Sequence, residues 1–291
     1  MQATYRTKKS LGQNFLKDKA ALKAIANAAE IGPEDLVIEI GPGQGALSEY
    51  LAPLAGKLIL IELDSDLIPY LRAALIMREN AEIIQGDILK TDLNAIIKDW
   101  RKSMEPKLTE EAGPRQAAPR VHVIGNLPYY ITTPIIMKLL EETSGIDDIV
   151  IMMQKEVAER LEAEPGSHAY GAITLAVQYY AKAEKVADVP RTSFRPEPKV
   201  DSRVLRLDIR SEKPVALKSE KAFFDCVKAG FGQRRKTLLN ALSAGLPMEK
   251  DMAARLLREA GIDERRRAET LSMEEFARLA NLYAALNTTN I

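Results

Sequence analysis

Apolar residues along this chain fall into two regimes. From residue 36 to about residue 210, short apolar runs alternate with stretches of helical spacing; beyond Lys213-Pro214 only the helical spacing continues. Leu36 to Ile40, Leu58 to Leu63, Ala81 to Gln85, Val121 to Ile124, Asp148 to Met153, Lys185 to Val189 and Arg203 to Ile209 each read as a short strand. Between them, Ala46 to Ala52, Ser65 to Met77, Thr133 to Glu142 and Tyr170 to Tyr180 read as helices, the third opened by Thr132, Thr133 and Pro134 in cap and first-turn positions. Strands alternating with helices predict an α/β fold built on a seven-stranded, mostly parallel, doubly wound sheet. The expected domain covers residues 1–210 and begins with a basic arm, 1–20. Ala222 to Gly230, Lys236 to Ala244, Met252 to Ala260 and Met273 to Leu286 then predict a small all-helical domain over 211–291. The polar stretch 98–120, with Pro106, Gly113, Pro114 and Pro119, is expected to be a mobile loop.

Composition narrows the chemistry. The 291 residues carry 41 basic and 41 acidic side chains, so indiscriminate coating of nucleic acid is disfavoured and any such binding must come from local patches. Candidates are Arg6, Lys8, Lys9, Lys17 and Lys19 in the arm, and Arg234, Arg235 and Lys236 near the other end. Arg265-Arg266-Arg267, flanked by Asp263, Glu264 and Glu269, reads as a solvated face. One cysteine, Cys226, and two histidines, His122 and His168, leave no disulfide and no plausible metal site. No apolar run reaches the roughly 18 residues of a membrane span and no secretory h-region opens the chain, so a cytoplasmic protein is expected, a monomer by default.

Three strand ends carry candidate binding groups. The first strand runs into Glu39-Ile40-Gly41-Pro42-Gly43-Gln44-Gly45, a glycine turn opening a helix; Glu62 closes the second strand, placed to accept both ribose hydroxyls of an adenosine; Asp87 follows the third, within reach of an adenine amino group. The glycine spacing differs from a dinucleotide fingerprint, and an adenosine without phosphates fits better. The fourth strand ends in Asn126-Leu127-Pro128-Tyr129-Tyr130. Asn126 offers a carbonyl acceptor, Pro128 rigidifies the turn and leaves the carbonyl before it able to accept, and Tyr129 supplies a stacking face. Such a set suits a flat aromatic amine. Two acceptors on one NH2 group draw its lone pair out of conjugation and make it a nucleophile.

Together these residues resemble the class I S-adenosylmethionine-dependent methyltransferases, and within them the ribosomal RNA adenine N6,N6-dimethyltransferase family. The resemblance spans nearly the whole chain and rests on Gln13-Asn14-Phe15-Leu16, the Glu39 to Gly45 turn, Glu62-Leu63-Asp64, Gly86-Asp87, Asn126-Leu127-Pro128-Tyr129, Gln154-Lys155-Glu156-Val157-Ala158 and the segment Phe194 to Ser202. Gln233-Arg234-Arg235-Lys236-Thr237 is similar to the bacterial small-subunit branch, which dimethylates two adjacent adenosines near the 3′ end of 16S rRNA in the 30S subunit. The resemblance implies S-adenosylmethionine as cofactor, lined by Asn14, Leu16, Gly41, Gly43, Glu62, Asp87 and Asn126. It implies a target-amine site of Asn126, Leu127, Pro128 and Tyr129, with Phe194 as a second aromatic wall. Two departures are a long 98–120 stretch and Arg195 where relatives often have a smaller residue. A nicotinamide-dependent oxidoreductase would share the glycine turn and Glu62 but not the Asn-Leu-Pro-Tyr segment. A non-catalytic assembly checkpoint on immature subunits, or a 23S rRNA resistance methyltransferase, would share most of the motifs.

Overall fold

The structure is a computed structural model that describes residues 5, 7, 8, 11–110 and 118–289. Among the described residues nine strands form: β1 (Phe15–Leu16), β2 (Leu36–Ile40), β3 (Lys57–Glu62), β4 (Ala81–Gln85), β5 (Val121–Asn126), β6 (Asp148–Gln154), β7 (Ala181–Val189), β8 (Phe194–Arg195) and β9 (Ser202–Ile209). Seven make one sheet in the order β4-β3-β2-β5-β6-β9-β7, while β1 and β8 pair apart from it. Within the large sheet β9 runs antiparallel to both its neighbours, and the remaining pairings are parallel. This is the mostly parallel, doubly wound sheet expected from the strand pattern, in the class I methyltransferase arrangement that the resemblance implied. β2 and β5 are buried from end to end but for Asn126, so they read as continuous apolar runs rather than alternating ones.

The chain divides into two compact units. The first comprises Met1–Ala158 with Ala181–Ile209, and the second Glu159–Tyr180 with Arg210–Ile291. Residues 159–180, expected in the sheet domain, thus belong to the helical unit. Burial supplies the reason: Leu175 and Tyr179 of the helix Ala172–Tyr180 pack in one apolar cluster with Phe223, Cys226, Leu238, Leu256 and Phe276. The core of the first unit gathers Ile25, Val37, Leu51, Leu60, Leu71, Ile124 and Phe194.

The expected loop over 98–120 is corrected in its first half. One helix runs from Leu93 to Glu110, and Leu93, Ile97, Trp100 and Met104, spaced by helical turns, are buried. Their stripe outweighs the polar composition of that stretch. Residues 111–117 lie outside the described residues.

Candidate active site

The order of the sheet reverses between β2 and β5, and their carboxyl ends open a crevice where an open α/β sheet takes its ligand. A cavity of about 390 Å³ lies there, within the size range of small-molecule sites. It is lined by Asn14, Leu16, Gly41, Gly43, Glu62, Asp87, Asn126, Leu127, Pro128 and Tyr129, so the expected strand-end set converges on one place.

Glu62 holds the glycine turn. Its Oε2 accepts from Gly43 N at 3.0 Å and its Oε1 from Asp64 N at 2.8 Å, leaving each oxygen a further lone pair. Burial raises its carboxyl above the ordinary range, and these N–H donors offset part of the rise. Beneath the turn, Glu39 is buried and accepts from Ser48 Oγ at 2.6 Å; burial, with the nearby Glu62 charge adding to it, pushes its carboxyl up to about 8. Burial thus biases the Glu39 carboxyl toward its protonated form. Gly43 has φ +62°, and a Cβ there would meet the Phe15 ring at 2.9 Å, so only glycine serves.

The Asn126 carboxamide is oriented by the N-terminal arm. Its Nδ2 donates to Asn14 O at 3.1 Å, which leaves Oδ1 as the carboxamide's acceptor in a residue that lines the cavity. Leu127 N donates to Met152 O, fixing the turn to β6, and Thr132 Oγ1 donates to Pro128 O. Tyr129 lies half-buried with its hydroxyl 2.8 Å from the buried Ser202 Oγ, and burial raises its phenol above the ordinary value, so it stays neutral. Asp87 Oδ1 accepts from Leu89 N.

Sequence reasoning missed the latch that seats the arm. Asp64 receives Tyr5 Oη at 2.5 Å, Lys8 Nζ at 2.6 Å and Gln13 Nε2 at 2.8 Å, while Lys8 also pairs with Asp66 at 2.7 Å. Burial alone would raise the Asp64 carboxyl, but these donors hold it at about 2. The signal was present in Glu62-Leu63-Asp64, yet nothing local links it to a tyrosine 59 residues away.

The structure places three of the expected residues in contacts within the protein. Lys8, expected on RNA, spends its ammonium on Asp64 and Asp66. Arg234 likewise donates to His168 O at 2.7 Å and lies 3.6 Å from Glu269, while Arg235 and Lys236 stand exposed; Lys9 lies outside the described residues. Phe194, expected as the second wall, is fully buried in the core and does not line the cavity, because its pairing with Leu16 turns it inward and leaves Arg195 outward. Among the described residues no group of His, Cys, Asp or Glu is arranged to hold a metal ion, and no helix is long and apolar enough to cross a membrane.

Comparison with known proteins bears on this geometry. Ribosomal RNA small subunit methyltransferase A of Geobacillus thermodenitrificans is 50% identical over 277 residues, covering 94% of this chain and 90% of that protein. The protein of the same name from Clostridioides difficile is 47% identical over 278 residues, covering 96% and 91%. Among solved structures, a dimethyladenosine transferase from Plasmodium falciparum superposes with a TM-score of 0.74 at 26% identity, over 95% of this chain and 98% of that one. The 23S rRNA methyltransferase ErmE gives 0.66, also at 26% identity, over 92% and 99%. The family model described as ribosomal RNA adenine dimethylase matches residues 4–285, and the chain belongs to that family.

Proposed function

We propose that this protein transfers methyl groups from S-adenosylmethionine to N6 of two adjacent adenosines near the 3′ end of 16S rRNA, acting on the small ribosomal subunit in the cytoplasm. The observation that carries the reading is the Asn126 carboxamide, held through its Nδ2 on Asn14 O with its oxygen unengaged, in the same cavity that the Glu62-anchored glycine turn lines. Relatives at 47–50% identity carry a small-subunit name, which favours this substrate over 23S rRNA.

The donor set fits the cofactor. Glu62 accepts the ribose hydroxyls through the lone pairs its N–H partners leave, Asp87 accepts from the adenine amino group, and Gly41, Gly43, Asn14 and Leu16 form the wall along the chain. When bound, S-adenosylmethionine supplies an electrophilic methyl on a sulfonium. Asn126 Oδ1 and the Leu127 carbonyl accept the two protons of the target N6, and the Tyr129 ring stacks on the everted base, worth about 1–3 kcal/mol. No general base is required before transfer, because the amine sheds its proton after it has become cationic. Orientation supplies most of the acceleration; aligned intramolecular reactions gain roughly 7–11 kcal/mol. Exposed Arg235 and Lys236 contact RNA phosphates from the helical unit.

Labelled S-adenosylmethionine incubated with small subunits that lack the modification tests the reading. Recovery of N6,N6-dimethyladenosine from the 3′ end of 16S rRNA is expected; label confined to 23S rRNA, or none despite tight binding of cofactor and subunit, would overturn it.

A further inference from the structure

Tyr130 is unlike every other aromatic near the site. It lines the same cavity as Tyr129, yet it is 56% exposed, the largest fraction of any aromatic among the exposed apolar side chains of the described residues. Tyr129 is turned inward and tied to Ser202, whereas no hydrogen bond among the described residues ties the Tyr130 hydroxyl. The ring is nonetheless held in place. Gly12 has φ +62°, and a Cβ there would stand 3.3 Å from Tyr130 Cδ1 and 3.9 Å from Pro128 Cβ, so the arm presents bare backbone to the Tyr130 ring. One side of the ring thus rests on the arm while more than half of the residue faces water at the cavity mouth. A solvent-facing ring on a rigid proline turn offers a sequence-tolerant stacking platform at low entropic cost.

We propose that Tyr130 stacks on the nucleotide adjacent to the target, holding the neighbouring adenosine unstacked at the rim while the target base occupies the cavity. This rests on the RNA adenine reading above and extends it to the choice of substrate. An enzyme that acts on one base must take it out of its stack, which strips the neighbour of a partner too. A ring one residue beyond Tyr129 in the chain restores that partner. Since the second target is the neighbour of the first, the same platform serves both transfers with the two bases exchanging places, and it favours a purine at the flanking position over a pyrimidine, whose stacking face is smaller.

The test compares Tyr130→Ala, Tyr130→Phe and Tyr130→Trp on unmodified small subunits, with binding of S-adenosylhomocysteine measured in parallel. For Tyr130→Ala, kcat/KM for the subunit should fall about 5- to 100-fold. Affinity for S-adenosylhomocysteine should stay within twofold, and the Phe and Trp variants should match the parent. Subunits carrying uridine at the neighbouring position should slow the parent protein but leave Tyr130→Ala nearly indifferent, the non-additivity expected of two groups in contact. A kcat/KM within twofold of the parent overturns the proposal. So does a loss matched by equal weakening of S-adenosylhomocysteine binding, which would assign Tyr130 to packing the arm. Failure of the parent protein itself to methylate any subunit overturns the underlying reading instead, and the two failures are thereby separate.

Discussion

Both ends of the parallel sheet bury carboxylates, and they treat them in opposite ways. At the amino end, Asp148 Oδ2 sits 2.9 Å from His122 Nδ1 and 2.6 Å from Arg120 Nη2, with Arg206 Nη2 at 3.9 Å; Asp35 Oδ2 faces His122 Nε2 at 3.0 Å. Burial alone would depress the His122 imidazolium, but Asp148 and then Asp35 raise it. At the carboxyl end, Glu39 and Glu62 have a hydroxyl and two backbone N–H groups as partners, and no basic side chain touches them among the described residues. The amino-end acids are matched by their own cations, although Asp148 Oδ1 is buried without a hydrogen-bond partner among the described residues. Glu62, by contrast, lines the cavity with lone pairs that its N–H partners leave open to a hydroxyl donor, while Glu39 stays buried against Ser48 Oγ.

The sharpest way to break this comparison is to alter one group at each end. Asn126→Ala removes the oriented acceptor and should lower the rate of transfer by about 10²- to 10³-fold, by analogy with loss of one preorganised polar group in other active sites. Its melting temperature should fall by no more than a few degrees. A single-turnover rate within a few-fold of the parent would refute the role given to the carboxamide.

His122→Ala does the reverse. Two buried carboxylates lose their shared partner, and removing one member of such a cluster costs about 3–5 kcal/mol of stability, measurable by urea unfolding. Transfer per folded molecule should be unchanged. A variant as stable as the parent would show that Arg120 and Arg206 suffice without the imidazole.

A smaller effect sharpens the contrast, because both ends bend stability with pH in the same direction for opposite reasons. Glu39 binds its proton more tightly folded than unfolded, so folding stability should decline as pH rises from the ordinary glutamate range towards about 8. His122 is also raised, so its contribution is complete below the ordinary histidine value and is lost as pH climbs through its folded one. Glu39→Gln should reduce the slope between about pH 5 and 7, leaving the part due to the raised Glu62 and the later decline due to His122. A slope unchanged by that substitution would mean that Glu39 titrates normally.

Much of this was legible in the sequence because it is local. Most of the seven sheet strands announced themselves as apolar runs, although β7, rich in Lys and Glu, begins at Ala181 rather than at the expected Lys185; Glu39, Glu62, Asp87 and Asn126 were findable as strand-end polar residues, since the carboxyl edge of a parallel sheet gathers them whatever the loops do. What escaped was long-range. The Asp64 latch joins residues far apart in the chain, and the two-residue strands β1 and β8 are too short to carry a periodicity. Phe194 illustrates the same limit: its motif is recognisable, but which way the ring turns depends on pairing with Leu16, which no neighbouring residue encodes. His122, weighed in the sequence only as a possible metal ligand, became part of a cluster once β5 and β6 were placed side by side.

The division of the chain has a practical consequence for anyone wishing to shorten it. Because the path leaves the sheet unit after Ala158 and returns at Ala181, a stop codon after Ile209 would not deliver that unit alone. It would retain residues 159–180, stripping Tyr170, Leu175 and Tyr179 of the cluster supplied by Phe223, Cys226 and Phe276 and giving those rings to water. A soluble minimal sheet unit requires two cuts, with a short linker spanning the excised helices, and a single truncation should aggregate.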